Sequence, residues 1–147
     1  MKSFKLLSIG LLVVGATFFT SCKKEGCTDR DSINFNPDAN KDNGTCQYEG
    51  NAVFWYGKTT SKELQYYGVT SLIYYVDGQI VGSSVTSVYW TSRPECGQNG
   101  SITVTKNLGG VKNKSYTYSV KDQTGYELWA GVINFTANSC EAVELTL

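Results

Sequence analysis

The chain of 147 residues holds no histidine and five cysteines. Without an imidazole there is no general base of the kind that activates a serine or cysteine nucleophile, and no histidine-ligated zinc, copper or iron. Cys27, Cys46, Cys96 and Cys140 form an even set once Cys22 is set aside. In an exported chain such a set is expected in disulfides, which removes thiolate chemistry as well. Gly109-Gly110 lacks the further glycine, the lysine and the helix that a phosphate loop requires. Paired carboxylates are the catalytic chemistry left over. Asp29, Asp31, Asp38 and Asp42 crowd one short stretch, while Glu63, Asp77, Glu95, Asp122 and Glu127 scatter over the ends of strand-like segments. The expectation is a protein that is not an enzyme.

Two binding chemistries remain. Asp38, Asn40 and Asp42 stand at alternate positions and carry oxygen ligands of the kind calcium takes, with Asp29 or Asp31 available for further charge. Calcium is the one cofactor the residues suggest, although in an EF-hand loop begun at Asp38 the glycine would fall at 43 and the chain has Gly44. The competing reading is a disulfide-closed loop of turns in which Asn and Asp bond their own backbone. The second chemistry is aromatic: Trp55, Trp90 and Trp129, with tyrosines beside them, are candidates for stacking on sugar rings or for a protein partner. Side chains alternate along a strand, so the pairs Phe54-Trp55, Tyr74-Tyr75 and Tyr89-Trp90 cannot both point inward. The plainer reading is a half-wet sheet whose tyrosines stabilise by cross-strand pairing.

The elements that must position these residues begin with an address. Lys2 and Lys5 precede an uncharged stretch of 16 residues, Leu6 to Ser21, and small residues approach Cys22. That is the layout of a secretory signal, and it falls short of the roughly 20 apolar residues of a spanning helix. Phe19-Thr20-Ser21-Cys22 resembles the lipobox of bacterial lipoproteins, with Phe19 in place of the usual leucine. The resemblance implies cleavage after residue 21, a diacylglyceryl group with acyl chains such as palmitate on the Cys22 thiol, and a membrane partner held through that lipid. A plain secretory signal is the alternative. Lys23 after the cysteine, where an aspartate is the inner-membrane retention signal, points to the outer membrane of the cell envelope. Loss of Lys2 and Lys5 leaves 11 basic against 13 acidic side chains, so nothing suggests nucleic acid as a partner. The local basic cluster Lys106, Lys112 and Lys114 surrounds Leu108-Gly109-Gly110 and reads as a solvated hairpin end.

Residues 22–26 read as a polar tether. Residues 27–46 are dominated by Asp, Asn, Gly and Pro and are bounded by cysteines. This stretch is similar to a short segment of Bacteroidota envelope proteins, C-T-D-P-x-A-x-N-Y-N-P-x-A-x-x-D-D-G-S-C. Cys27, Thr28, Asp29, Asn34, Asn36, Pro37, Ala39, Asp42, Gly44 and Cys46 match it; Arg30, Ser32, Phe35, Asn43 and Thr45 depart from it. Asp31-Ser32-Ile33 also resembles the O-glycosylation signal of such secreted proteins.

From residue 50 to 147 the pattern becomes alternation. Strands are expected at Val53–Tyr56, Leu72–Val76, Ser87–Trp90, Ile102–Thr105, Tyr116–Val120, Leu128–Phe135 and Ala142–Leu147. An Asp77-Gly78 turn should lead into a returning strand, and Asn99-Gly100, Gly109-Gly110 and Gln123-Thr124-Gly125 mark further turns. Residues 61–67 allow one helical turn at most. Seven or eight short strands imply an all-β fold, a small antiparallel β-sandwich preceded by the disulfide-closed segment. Three cysteine pairings are open on paper, and this organisation favours Cys27 with Cys46 and Cys96 with Cys140. The sandwich resembles the immunoglobulin-like or transthyretin-like modules of envelope lipoproteins. The expected function is a non-catalytic, membrane-anchored lipoprotein serving protein binding, adhesion or envelope structure. The alternative is a glycan-binding accessory protein.

Overall fold

A computed structural model describes residues 23–147; the expected signal segment 1–21 and the expected lipidation site Cys22 lie outside the described residues. The Asp/Asn-rich segment folds as a small foot. Strand β1 (Glu25–Gly26) pairs in parallel with β2 (Lys41–Asp42), so two of the expected tether residues belong to this foot. The Cys27–Cys46 disulfide closes it. So polar a stretch cannot condense by apolar burial, and its backbone is satisfied locally instead. Asp31 N donates to Asp29 Oδ1, Asp38 N to Asn36 Oδ1, Gly44 N to Asp42 Oδ1 and Thr45 N to Asn43 Oδ1, four Asx-turns. Both cysteines nevertheless belong to the same buried cluster as the sandwich core.

The sandwich has a three-stranded and a four-stranded sheet. In the first, β3 (Tyr48–Trp55) lies between β6 (Ile102–Gly109) and β9 (Cys140–Glu144). In the second the order is β5 (Gln79–Val85), β4 (Ser71–Val76), β7 (Asn113–Asp122), β8 (Glu127–Thr136). Period-two burial selects the inner face: Ala52 and Phe54 from β3, Leu72, Tyr74 and Val76 from β4, Val120 from β7 and Ile133 and Phe135 from β8. Phe54 joins the sheets, its ring centroid 5.4 Å from those of Tyr74 and of Tyr118. Asp77 and Gly78 have φ of 56° and 71°, the two positive values of a type I′ turn, and they close the β4–β5 hairpin with Val76 opposite Gln79. The sheets approach closely where Gly50 meets β8; a Cβ there would stand 2.7 Å from Thr136 O.

The all-β class, the two disulfides and the antiparallel β4–β5, β4–β7 and β7–β8 pairs are as the sequence suggests. Three features differ. Strand β9 pairs with β3 in parallel, Asn51 opposite Cys140 and Trp55 opposite Glu144. Residues Lys58–Tyr66 form a helix, α1, of nine residues where a single turn was expected. Its buried side chains are Thr60, Ser61 and Leu64, so two small hydroxyl residues take the place of an apolar stripe. Ser87–Trp90 is not a strand. Val88 N bonds Val85 O in a turn and Trp90 N reaches Tyr56 O, so the segment belongs to a long connection between β5 and β6. That connection covers the outer face of the three-stranded sheet. Val53, which points away from Ala52 and Phe54, is fully buried there. The covering loop is pinned beside it by the Cys96–Cys140 disulfide, by Arg93 Nη2 donating to Cys140 O at 2.8 Å and by Gly97 N donating to Thr103 Oγ1 at 2.9 Å.

Candidate functional site

Strand direction divides the molecule into two poles. Strand β3 leaves the foot at Tyr48 and, over eight residues, travels about 23 Å to Trp55. The foot, the β6–β7 turn and the start of β9 lie at one pole. Helix α1, the start of β4, the end of β5 and the β7–β8 turn lie at the other, because Tyr56 Oη donates to Val85 O, Ser71 pairs with Val85 and Leu72 pairs with Asp122. The pole far from the foot carries the exposed tyrosines. Tyr66 and Tyr67 close α1 with 84% and 74% of their surface open, and Tyr126 in the β7–β8 turn has 69%. The rings of Tyr66 and Tyr67 meet edge to face, centroids 5.2 Å apart.

These tyrosines stand on a fixed base. Gln123 bridges the turn to the segment after α1, its Nε2 donating to Gly68 O at 3.1 Å and its Oε1 accepting from Thr70 N at 3.0 Å. Asp122 accepts from Thr124 N, Thr124 Oγ1 and Tyr126 N, and those bonds hold its carboxyl below the usual range. Beneath α1, Ser61 Oγ donates to Thr86 O at 2.6 Å and Thr86 Oγ1 to Val69 O at 2.7 Å, both buried. Valines 85 and 88 and Tyr89 extend the exposed apolar surface of the pole.

All three tryptophans lie toward this pole, but none presents a bare ring. Trp55, Trp90 and Trp129 are half-buried. Trp55 ends β3, Trp90 sits in the covering loop, and Trp129 Nε1 donates to Thr146 O at 2.8 Å. The alternation argument holds for two aromatic pairs: Phe54 and Tyr74 are buried and their neighbours Trp55 and Tyr75 half-exposed.

Each of the expected calcium ligands has a hydrogen-bond or ion-pair partner within the chain. Asp38 Oδ2 pairs with Lys24 Nζ at 2.8 Å, Asn40 Oδ1 accepts from Lys24 N at 3.1 Å, and Asp42 Oδ1 caps Gly44 N. Glu49, twelfth from Asp38, lies in β3. Among the described residues no three His, Cys, Asp or Glu side chains are placed to hold a metal ion. The Asx-turns and Lys24 thus share these oxygens.

Asp29 and Asp31 instead bind the foot to the sandwich. Lys112 Nζ lies 2.7 Å from Asp29 Oδ2 and 2.8 Å from Asp31 Oδ2, and Tyr48 Oη donates to Asp29 Oδ2 at 2.9 Å. The Lys112 ammonium lowers the Asp29 carboxyl pKa, and the two carboxylates raise that of Lys112. The basic hairpin end is therefore not simply solvated: Lys112 is a clasp, while Lys106 and Lys114 flank the Tyr116 ring at 4.9 and 5.2 Å. Spacing alone gives no sign of this clasp, since Asp31 and Lys112 stand 81 residues apart. Ser32 is 8% exposed and its Oγ donates to Asp29 O at 2.7 Å, so the glycosylation-like triplet keeps its hydroxyl inside the foot.

In comparisons with known proteins, no family model, no curated protein and no solved structure matches the chain. Among the described residues no helix is long and apolar enough to cross a membrane.

Proposed function

We propose that this protein is a non-catalytic lipoprotein of the bacterial envelope, anchored through a lipid on Cys22, whose sandwich binds a protein partner at the pole carrying Tyr66, Tyr67 and Tyr126. The observation that carries the reading is the separation of the two ends. The chain leaves the anchor position into the foot, and the exposed tyrosines sit at the opposite end, supported by buried hydrogen bonds. Tyrosine combines a large rigid apolar surface with a polar tip and is enriched where proteins meet. A non-enzymatic role is supported by the lack of histidine and by carboxylates occupied in turns and ion pairs. Half-buried indoles favour a protein partner over sugar stacking on Trp55, Trp90 or Trp129.

Photo-crosslinking tests the reading. A benzophenone amino acid replaces Tyr67 or Tyr126 in the full-length chain, and Val111, exposed beside the foot, serves as control. Residues 67 and 126 should join the same protein in cells, and position 111 should not. Equal capture at all three positions, or none at the pole, rejects the assignment.

A further inference from the structure

The two flanks of the sandwich are closed unequally. On one flank β5 and β6 meet, with Ile102 packed against Gly82 so closely that a Cβ there would stand 3.2 Å from Ile102 Cδ1. The 87–101 connection that roofs the three-stranded sheet joins these two strands. On the other flank the outermost strands are β8 and β9, and between them lies a hollow of about 350 Å3 lined by Val132, Ile133, Asn134, Glu141 and Val143. The β7–β8 ladder fixes which backbone groups of β8 face this flank. Ala137 N donates to Lys112 O, and hydrogen-bonded pairs alternate along an antiparallel ladder, so Phe135, Ile133 and Gly131 bond to β7. The N–H and C=O groups of Ala130, Val132 and Asn134 therefore point outward, and they have no backbone partner among the described residues.

An open strand edge is a template for another strand, and proteins usually blunt it with lysine, proline, shortness or an inward charge. Strand β9 is blunted. It has five residues, its Cys140 O accepts from Arg93 Nη2, and Glu141, opposite Ala52, lies on the inner side of the sheet yet is exposed. Strand β8 has ten residues, no lysine and no proline, and Val132 in its middle is 62% exposed. We propose that the β8 edge takes up an extended segment of another protein, in which basic side chains alternate with apolar ones. Such a segment adds a fifth strand to the four-stranded sheet through main-chain bonds to Val132 and Asn134. Its alternation matches the two sides of the edge. One set of side chains enters the hollow beside Glu141, and the other lies on the outer face beside Val132. Charge selects a basic segment. Strands β8 and β9 carry Glu127, Glu141 and Glu144 and no basic side chain, and none of the three joins an ion pair among the described residues. This flank is distinct from the tyrosine pole, and either assignment can fail without the other.

Fluorescence anisotropy on the full-length chain tests it, with a labelled synthetic peptide as long as β8 in which lysine and valine alternate. The peptide should bind saturably, and its counterpart with glutamate in place of lysine should bind roughly tenfold more weakly. Val132→Pro removes one outward N–H and breaks no bond to β7. It should weaken binding by roughly tenfold, as should Glu141→Lys, which meets the lysines of the peptide with a like charge. The Tm of Val132→Pro, compared with the parent, shows whether that chain is folded; if it is not, Asn134→Pro replaces it. No saturable binding, equal binding of the glutamate peptide, or binding unaffected by a folded proline variant or by Glu141→Lys overturns the proposal. So does a parent chain that sediments as a dimer and becomes monomeric on Val132→Pro, since a second copy would then occupy the edge.

Discussion

Substituting alanine for Gly50 tests the packing of the two sheets at a point of close approach. The added Cβ would lie 2.7 Å from Thr136 O and 3.2 Å from both Thr136 N and Phe135 Cβ. Two of these three atoms are backbone, so no side chain can swing aside. Thr136 is held by its pairing with Asn113 and by Ser139, whose N and Oγ both donate to its carbonyl. Restoring an ordinary contact requires β3 and β8 to part by about 0.7 Å, and overpacking of this kind costs about 1–3 kcal/mol. Lower entropy of the unfolded chain returns about 0.4–1 kcal/mol. The net loss is about 1–2 kcal/mol. With an unfolding entropy of about 2.1 cal/mol/K per residue over roughly 125 residues, Tm should fall by about 4–8 °C. Differential scanning calorimetry reads this directly, and Gly110→Ala is the control, since its nearest neighbour would be Cys46 O at 3.9 Å. Gly110→Ala should stay within about 2 °C of the parent. An unchanged or raised Tm for Gly50→Ala, or an equal fall for Gly110→Ala, would refute the reasoning.

Two further outcomes follow from the staples. Replacing Cys96 and Cys140 by serine opens a loop of sequence separation 44, worth about 4 kcal/mol in chain entropy, and should lower Tm by about 15 °C; a change under about 5 °C would show that the 87–101 roof holds without its bond. The Lys112 clasp gives a pH signature. Asp29 is depressed when folded, so its contribution is present above the ordinary aspartate value of about 3.9 and is lost as pH falls through the lower folded value. Lys112 is raised, so its contribution is present below about 10.4 and is lost as pH climbs through the higher folded value. The Tm difference between the parent and Lys112→Met should be flat from pH 5 to 9 and shrink on both sides; a difference that persists unchanged at both extremes contradicts the clasp.

Much of the architecture was legible because it is local. Asp77-Gly78 announces its turn, Leu72 to Val76 alternates cleanly, and the cysteines at both ends of the Asp/Asn-rich stretch declare a closed foot. The misses have distinct physical causes. Helix α1 hides behind Thr59, Thr60 and Ser61, residues of modest helix propensity, and Gly57 at its N-cap offers no side-chain cap. Ser87 to Trp90 has strand composition, but composition does not supply a neighbouring strand to bond with. Parallel pairing of β9 with β3 is set by the packing of the whole sandwich and leaves no mark in either strand. The tyrosine pole is intermediate. Tyr66, Tyr67 and Tyr126 are visible as aromatic residues, but their shared location emerges only once strand directions are known.

Lipidation of Cys22 is the central proposal for this protein. Cells supplied with a labelled palmitate analogue, and expressing either the natural chain or Cys22→Ser, provide the direct measurement. The natural chain should carry the label and sediment with membranes, while Cys22→Ser should be unlabelled and leave the membrane fraction. An unlabelled natural chain, or label and sedimentation that survive in Cys22→Ser, would contradict a sandwich tethered by its foot with its tyrosines facing away.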